Sequence, residues 1–137
     1  MIVRIDVIPV VPSLHRVIVA EVVGGFHGQA ALGRWWFPSG VLAEGERPYD
    51  RAAEIVRAQL GLDLHGLVVV GTRTTKVGDE WHLALAFAGA ATGGEPEPRS
   101  PVSGFAARTL PELPDQVGFY HRDDVGVLVA RYERLHG

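Results

Sequence analysis

The pattern of hydrophobic and polar positions along the chain predicts several β-strands. In segment 2–11, Val3, Ile5 and Val7 alternate with polar residues, which is typical of a strand, although Pro9 is expected to limit its regular pairing. The other predicted strands are apolar or β-branched runs, at 16–23, 67–76, 81–88 and 102–108. The turn sequence VGDE joins two of these runs, which predicts an antiparallel hairpin.

Two segments carry helix signals. Pro48 suits the first position of a helix because its missing N–H costs nothing there, and Gly61 supplies a C-terminal stop. Segment 121–135 is predicted to be the closing helix, because its apolar residues form one stripe, made of Val125, Leu128, Val129, Tyr132 and Leu135. Paired strands with few helices predict an α+β fold with a mixed sheet between helices, as a single domain over residues 1–137.

One segment between the predicted elements has a different composition. Residues 92–101, TGGEPEPRSP, combine Gly, Pro and charge with nothing apolar to bury. This composition predicts a mobile surface loop. The sequence leaves open whether the loop closes on another part of the molecule.

Composition and charge exclude several classes of partner. A net charge of −3 over 137 residues provides no basic surface for nucleic acid or an acidic membrane. The absence of cysteine excludes disulfides and cysteine-ligated zinc. The N-terminus does not resemble a signal peptide, and no apolar run approaches the ~20 residues of a membrane span. We therefore expect a cytoplasmic protein with no nucleic-acid or membrane partner.

Residues 40–62 carry a spaced motif with glycines at both ends. The pattern resembles the Nudix box, G-x5-E-x7-R-E-U-x-E-E-x-G-U with U aliphatic, and the matching residues are Gly40, Glu46, Val56, Gly61 and Leu62. Its turn, LAEGE, resembles the vExGE turn of that family. The preceding WWFPSG resembles its W-x-x-P-G-G entry, and the later FAARTLPELP resembles its late strand and deL element. The resemblance implies a Nudix-like α/β/α sandwich over nearly the whole chain.

The motif departs from the family at its charged positions. Glu54 stands where the family has arginine, and Ile55, Ala58 and Gln59 replace three glutamates that would share one helix face. The resemblance implies that those glutamates hold divalent cations against a diphosphate, a task for which aliphatic side chains offer no ligand atoms. We therefore expect no metal cofactor, with Glu46 as the ligand if any metal binds, and little or no metal-dependent diphosphate hydrolysis.

The first functional hypothesis is a protein that binds a nucleotide-like or other small phosphorylated molecule. The candidate ligand-binding residues are Trp35, Trp36, Arg34, Arg73, Gly40 and Glu44. Adjacent residues of an extended segment face opposite sides, so the outer tryptophan is a candidate surface for stacking a base, with core packing of both as the alternative. Arg34 and Arg73 are candidate phosphate contacts, and surface salt bridges are their commoner role.

Two alternative hypotheses belong to other functional classes. The first is an active Nudix hydrolase of nucleoside diphosphate derivatives, in which Glu44, Glu46 and Glu54 surround Mg²⁺ or Mn²⁺ and the catalytic residues are Glu46 and Glu54. The second is an interaction domain that forms a homodimer through its tryptophans and its C-terminal helix. The sequence does not identify the ligand or the oligomeric state.

Overall fold

The computed structural model describes residues 1–136 and contains one large sheet, a small two-stranded sheet and two α-helices. The strands of the large sheet are β1 (Ile2–Val11), β2 (Arg16–Glu21), β3 (Trp35–Trp36), β4 (Ser39–Val41), β5 (His65–Val77), β6 (Glu80–Ala90) and β7 (Gly104–Arg108). The small sheet pairs β8 (Gln116–Val117) with β9 (Tyr120–His121), and the helices are α1 (Pro48–Leu60) and α2 (Arg122–His136). These elements confirm the predicted α+β class.

The large sheet is mixed, as predicted, because one of its strand pairs is parallel. Its main path is β3-β2-β1-β6-β5, with β4 paired to β1 and β7 paired to β2. Strand β1 runs parallel to β6 and antiparallel to β2 and β4. The β5–β6 hairpin is antiparallel, as the sequence predicted.

Pro9 limits the pairing of β1 on one edge only. On that edge the ladder with β4 ends at Asp6 and the ladder with β2 begins at Val10, so Pro9 lies in the gap between them. The ladder with β6 runs through Pro9, which lies opposite Gly89. On the other edge of β1, the N–H of Val7 donates to the carbonyl of Pro38. Because backbone groups alternate along a strand, the nitrogen of Pro9 also faces that edge, so its missing N–H leaves the β6 ladder intact.

The two helices cover opposite faces of the sheet, and each closes a separate core. The core under α1 combines sheet residues with helix residues, among them Ile5, Val7, Ile18, Phe87, Ile55, Val56 and Leu60. The core under α2 includes Ile8, Val10, Ala86, Ala88, Leu128, Val129 and Tyr132. Even-numbered residues of β1 therefore face α2, and odd-numbered residues from Ile5 to Val7 face α1. This arrangement is the predicted α/β/α sandwich.

The helices begin and end close to the predicted positions. Helix α1 starts at Pro48, and Gly61 follows it in the left-handed region with φ +63°, its N–H donating to the carbonyl of Arg57. In α2, Leu135 is 61% exposed, so its predicted place in the buried stripe is wrong. At 3.6 residues per turn it lies roughly 70° from the centre of the stripe. Neither helix of residues 1–136 has the length and hydropathy to cross a membrane.

The segment predicted to be a mobile loop is partly packed against α1. The N–H of Glu97 donates to the carbonyl of Leu60 at 2.7 Å, and the N–H of Arg99 donates to that of Gln59 at 3.0 Å. The last carbonyls of a helix have no partner within the helix. Residues 97–99 supply those partners, so this half of the segment contacts the end of α1, a point that the sequence left open.

Candidate functional site

Glu46 stabilises the turn that leads into α1. Its carboxylate Oε1 accepts a hydrogen bond of 2.6 Å from the N–H of Ala43, and its own N–H donates to the carbonyl of Ala43 at 3.1 Å. Gly45 completes the turn with φ +85°, a conformation that favours glycine. The position that matches the box glutamate therefore has a structural role in this chain.

Arg51 lies between the two candidate catalytic carboxylates. Its Nη1 donates to Glu54 Oε1 at 2.6 Å, and its Nε lies 4.0 Å from Glu46 Oε1. The same Nε donates to the carbonyl of Val41 at 3.0 Å, which fixes the guanidinium against β4. A permanent positive charge thus occupies the space between Glu46 and Glu54.

Gly40 allows β4 to pack closely on α1. A Cβ at this position would lie 2.9 Å from Arg51 Nη2 and 3.0 Å from Ile55 Cδ1. Ile55 is 1% exposed and belongs to the core under α1. The side chain that replaces the first of the three glutamates therefore packs in the protein interior.

Gln59 forms two hydrogen bonds with the backbone of Ser39. Its Oε1 accepts from the N–H of Ser39 at 3.1 Å, and its Nε2 donates to the carbonyl of Ser39 at 2.7 Å. A carboxylate could accept the first bond and could not donate the second. The amide therefore satisfies a backbone carbonyl that a glutamate at this position would leave without a donor.

The residues on this face of α1 do not fit a divalent-cation site. Ala58 is exposed and offers no ligand atom, Ile55 is buried, and the Gln59 amide is bound to Ser39. Mg²⁺ requires several oxygen ligands in near-octahedral geometry, and the oxygens of Glu46 and Glu54 are next to a guanidinium. Among residues 1–136, no group of three or more His, Cys, Asp or Glu side chains is placed to hold a metal ion.

A buried network of charged and polar side chains lies behind Ser39, and the sequence analysis did not predict it. Arg4 is 0% exposed and Asp6 is 3% exposed, and Arg4 Nε lies 3.1 Å from both Asp6 oxygens. Asp6 also accepts from Ser39 Oγ at 2.7 Å and from the Tyr120 hydroxyl. The alternation of polar and apolar residues along β1 predicts that Arg4 and Asp6 face solvent. They are buried because helices cover both faces of the sheet, so residues on both faces of β1 are buried.

Two histidines complete the network and are held neutral by it. His27 Nε2 lies 2.8 Å from Ser39 Oγ, and His82 Nδ1 lies 3.3 Å from Arg4 Nη1. Burial lowers the pKa of His27 to about 4, with Asp6 opposing the shift and Arg4 adding to it. Burial and then the charge of Arg4 lower the pKa of His82 as well.

Arg73 lies at a cavity of about 180 Å³ between the β5–β6 hairpin and α2. Its guanidinium is 4.8 Å from the centre of the Tyr120 ring, its Nη2 donates to the carbonyl of Phe119, and its Nη1 is 3.6 Å from Asp124. Its Nε is buried and has no acceptor among residues 1–136. The cavity is lined by Gly71, Thr72, Arg73, Ala84, Ala86, Tyr120, Asp124, Val127, Leu128 and Arg131.

The two candidate tryptophans form β3, and Arg34 directly precedes it. Trp36 is 2% exposed and donates through Nε1 to the carbonyl of Gly33, whereas Trp35 is half-buried beside the core under α2. Arg34 is exposed and lies 3.4 Å from Glu21. Strand β3 pairs with the same edge of β2 as β1 does, because β7 occupies the other edge. The turn between β8 and β9 links the two groups, since the N–H of Gly118 donates to the carbonyl of Trp35 and the carbonyl of Phe119 accepts from Arg73.

Glu44 is exposed in the turn before α1 and does not line the cavity beside Arg73. The structure therefore groups Gly40, Glu44, Glu46 and Glu54 around the start of α1, and it places Arg73 beside α2. The sheet separates these two regions. These five candidates therefore lie in two regions of the structure.

Comparison with solved structures identifies the fold. A scan against protein-family models and a search of curated proteins give no match. The MutT Nudix hydrolase from Burkholderia pseudomallei is 20% identical at a TM-score of 0.72, with 93% of this chain and 95% of that chain covered. An ADP-ribose pyrophosphatase from Streptococcus suis is 15% identical at a TM-score of 0.73, with 99% and 92% covered.

A third structure shows the same likeness in a protein with a bound ligand. The Nudix domain of Shewanella oneidensis NrtR, in a cocrystal with ADP-ribose, is 13% identical at a TM-score of 0.72, with 97% of this chain and 87% of that chain covered. Identities this low establish a shared architecture, and the agreement extends over nearly the whole of each chain. The fold expected from residues 40–62 is confirmed: this chain has the Nudix fold.

Proposed function

We propose that this Nudix-fold chain binds a nucleotide-like or other small phosphorylated molecule and has little or no metal-dependent diphosphate hydrolase activity. The observation that carries the second half of the proposal is the position of Arg51, whose guanidinium contacts Glu54 and lies near Glu46. Metal-assisted hydrolysis needs an ion that polarises phosphate oxygens and activates water. A divalent cation next to Glu54 would be repelled by the charge that Arg51 already places there.

A rearranged metal site would require Arg51 to leave its position. Glu44, Glu46 and Glu54 would have to converge on the ion, and the hydrogen bonds of Arg51 to Glu54 and to the carbonyl of Val41 would break. Charge-assisted hydrogen bonds of this kind are about twice as strong as neutral ones. The contacts around α1 therefore favour a binding protein over a hydrolase with relocated ligands.

The ligand half of the proposal rests on the cavity beside Arg73. Guanidinium groups suit phosphate recognition because they present a planar fork of donors, and the side chain of Arg73 is 37% exposed beside the cavity. Two solved structures of the same fold are an ADP-ribose pyrophosphatase and a Nudix domain in a cocrystal with ADP-ribose. They support a phosphorylated, nucleotide-like ligand for this chain as well.

Thermal unfolding with ADP-ribose and ADP tests this proposal. A ligand that binds only the folded state stabilises it by RT ln(1 + [L]/Kd), about 2.7 kcal/mol at one hundred times Kd. We expect a rise in Tm with at least one of the two compounds, and we expect the rise to persist in EDTA. Arg73→Gln should reduce the rise, whereas Arg34→Gln removes an equal charge from an exposed side chain outside the cavity and should not.

Three results would change the proposal. Loss of the rise in Arg34→Gln, with Arg73→Gln unaffected, would place the ligand beside Trp35. A rise that EDTA abolishes would contradict metal-independent binding. No rise with any phosphorylated compound would contradict ligand binding and would favour the interaction-domain hypothesis.

A further inference from the structure

We infer that the cavity between the β5–β6 hairpin and α2 is a two-point anion site, with Arg131 as its second anion-binding residue and a small bisphosphate as its ligand. This inference rests on the proposed function and deepens it, because it specifies a ligand whose two phosphates are separated by a neutral body. Two arginines and one aspartate line the cavity, which leaves a net charge of +1. That balance favours an anionic occupant.

Arg131 is held at the cavity by the close approach of α2 to β5. Its Nη1 donates to the carbonyl of Val70 at 3.2 Å. Gly71 makes this approach possible, since a Cβ there would lie 2.6 Å from Leu128 Cδ2 and 3.4 Å from Arg131 Nη1. The contact with Val70 uses one of the five N–H donors of the guanidinium, so the remaining donors are available to an anion.

Arg73 is also restrained and still has capacity for an anion. Its contacts with Phe119 and the Tyr120 ring fix the guanidinium. Its Nη1 is 3.6 Å from Asp124, which is longer than the 2.7–3.2 Å of a normal hydrogen bond. A phosphate oxygen can replace this loose contact and gain a charge-assisted hydrogen bond.

The spacing of the two arginines determines the class of ligand. Arg73 contacts Asp124, and Arg131 follows Asp124 in α2 by seven residues, which corresponds to about 10 Å along the helix axis. Arg131 is also anchored at the carbonyl of Val70, three residues before Arg73 in β5. The two guanidinium groups are therefore held at different positions along both β5 and α2. A molecule with a phosphate at each end can contact both.

The wall between the arginines matches the neutral part of such a molecule. Ala84, Ala86 and Val127 also line the cavity, and Thr72 adds a hydroxyl group. A volume of about 180 Å³ is below the ~300–1,000 Å³ of pockets for drug-sized ligands. A short sugar with two phosphates fits this combination.

Calorimetric titration with fructose 1,6-bisphosphate and fructose 6-phosphate in EDTA tests the inference, since the two probes differ by one phosphate. We expect the bisphosphate to bind the wild-type chain more tightly. Arg131→Gln should weaken bisphosphate binding about tenfold, the usual effect of losing a charged hydrogen bond, and should change monophosphate binding less. Arg134→Gln removes the same charge from α2 outside the cavity and should have no such effect.

Equal weakening in Arg131→Gln and Arg134→Gln would overturn the two-point site, because general electrostatic attraction would then explain it. Equal affinity for the two probes would overturn it as well. Binding of ADP-ribose that neither Arg73→Gln nor Arg131→Gln weakens would overturn this inference and leave the proposed function intact. A wild-type chain that binds none of the phosphorylated compounds would contradict both.

Discussion

Single side chains explain how the box region can be stable without a cation. The Gln59 amide donates to the carbonyl of Ser39 and accepts from its N–H, and Arg51 supplies positive charge to Glu54 and Glu46. In each case, a side chain of this chain satisfies a polar group that would otherwise need another partner. Ile55 fills the remaining space as a core residue.

Restoring a glutamate at Gln59 should therefore destabilise the protein. In Gln59→Glu the carboxylate faces the carbonyl of Ser39 without a donor, which should lower the free energy of unfolding by ~1–3 kcal/mol at pH 7. Because protonation restores a donor, the deficit relative to wild type should shrink as the pH falls. Urea unfolding at several pH values measures this.

Ala58→Glu is the matched control, because it introduces the same side chain at the neighbouring box position. Ala58 is exposed, so its substitution should change stability by no more than about 0.5 kcal/mol. Equal losses in the two variants would mean that charge on this helix, and not the hydrogen bond to Ser39, determines the effect.

His27 should make stability depend on pH. Its pKa is about 4 in the folded state against 6.5 in the unfolded state, so the unfolded chain takes up the proton first as the pH falls. Stability should decrease between pH 6.5 and about 4 and should not decrease further from this group at lower pH. A shift of this size corresponds to ~3.4 kcal/mol at ~1.36 kcal/mol per pH unit, and solvent screening at this partly buried side chain should keep the loss of stability below that value.

The variant His27→Gln should flatten the pH dependence of the free energy of unfolding between pH 6.5 and 4. His65→Gln serves as the control, since His65 is exposed and its replacement should leave the slope unchanged. A His27→Gln curve that runs parallel to the wild-type curve over this range would contradict the burial effect.

At the scale of elements, residues 97–99 and the end of α1 depend on each other. The loop donates two backbone N–H groups to α1 carbonyls, and Gly61 lies directly beneath it. A Cβ on Gly61 would be 3.0 Å from Glu97 Cβ. The end of the helix and the loop therefore form one packed unit.

Comparison of Gly61→Ala with Gly78→Ala should isolate the contribution of this loop packing to stability. The two glycines have similar backbone angles, φ +63° and φ +60°, but a Cβ on Gly78 has no atom within 4 Å. Each alanine should cost ~1 kcal/mol of backbone strain, and Gly61→Ala should cost more because Glu97 must shift. Thermal unfolding measures both, and equal losses would contradict a packed loop.

The elements were largely predictable from sequence, and the contacts between distant elements were not. Pro48 and Gly61 locate α1 through local backbone chemistry, and the VGDE turn locates the β5–β6 hairpin. The burial of Arg4 and Asp6 depends on Tyr120, which lies more than a hundred residues away. Local patterns do not contain that information, and the same limit applies to the placement of Arg73 beside α2.

The candidate site was predictable where the motif fixes residue identity. The missing ligand atoms at Ile55 and Ala58 follow directly from the sequence. The position of Arg51 between Glu46 and Glu54 requires the curvature of the turn and the packing of β4 on α1.

At the scale of the whole molecule, the sandwich supports two separate regions. The face of α1 that carries the box residues is packed or charge-paired, while the opposite face of the sheet contains the cavity with Arg73 and Arg131. Fold and chemistry are separable, since one architecture can host different sites. Dimerisation through α2 and the tryptophans stays a prediction, and Trp81, at 51% exposure, is the most exposed of the three tryptophans.

The most direct test of the central claim is a steady-state assay of phosphoanhydride hydrolysis with ADP-ribose and nucleoside diphosphates, in Mg²⁺ and in Mn²⁺. We predict that the wild-type chain turns over far more slowly than the ~1 s⁻¹ at the lower end of ordinary enzyme rates, and that Glu46→Gln has the same residual rate as the wild type. Turnover above ~1 s⁻¹ that Glu46→Gln abolishes would contradict it, because Glu46 would then serve a metal and not only the turn before α1.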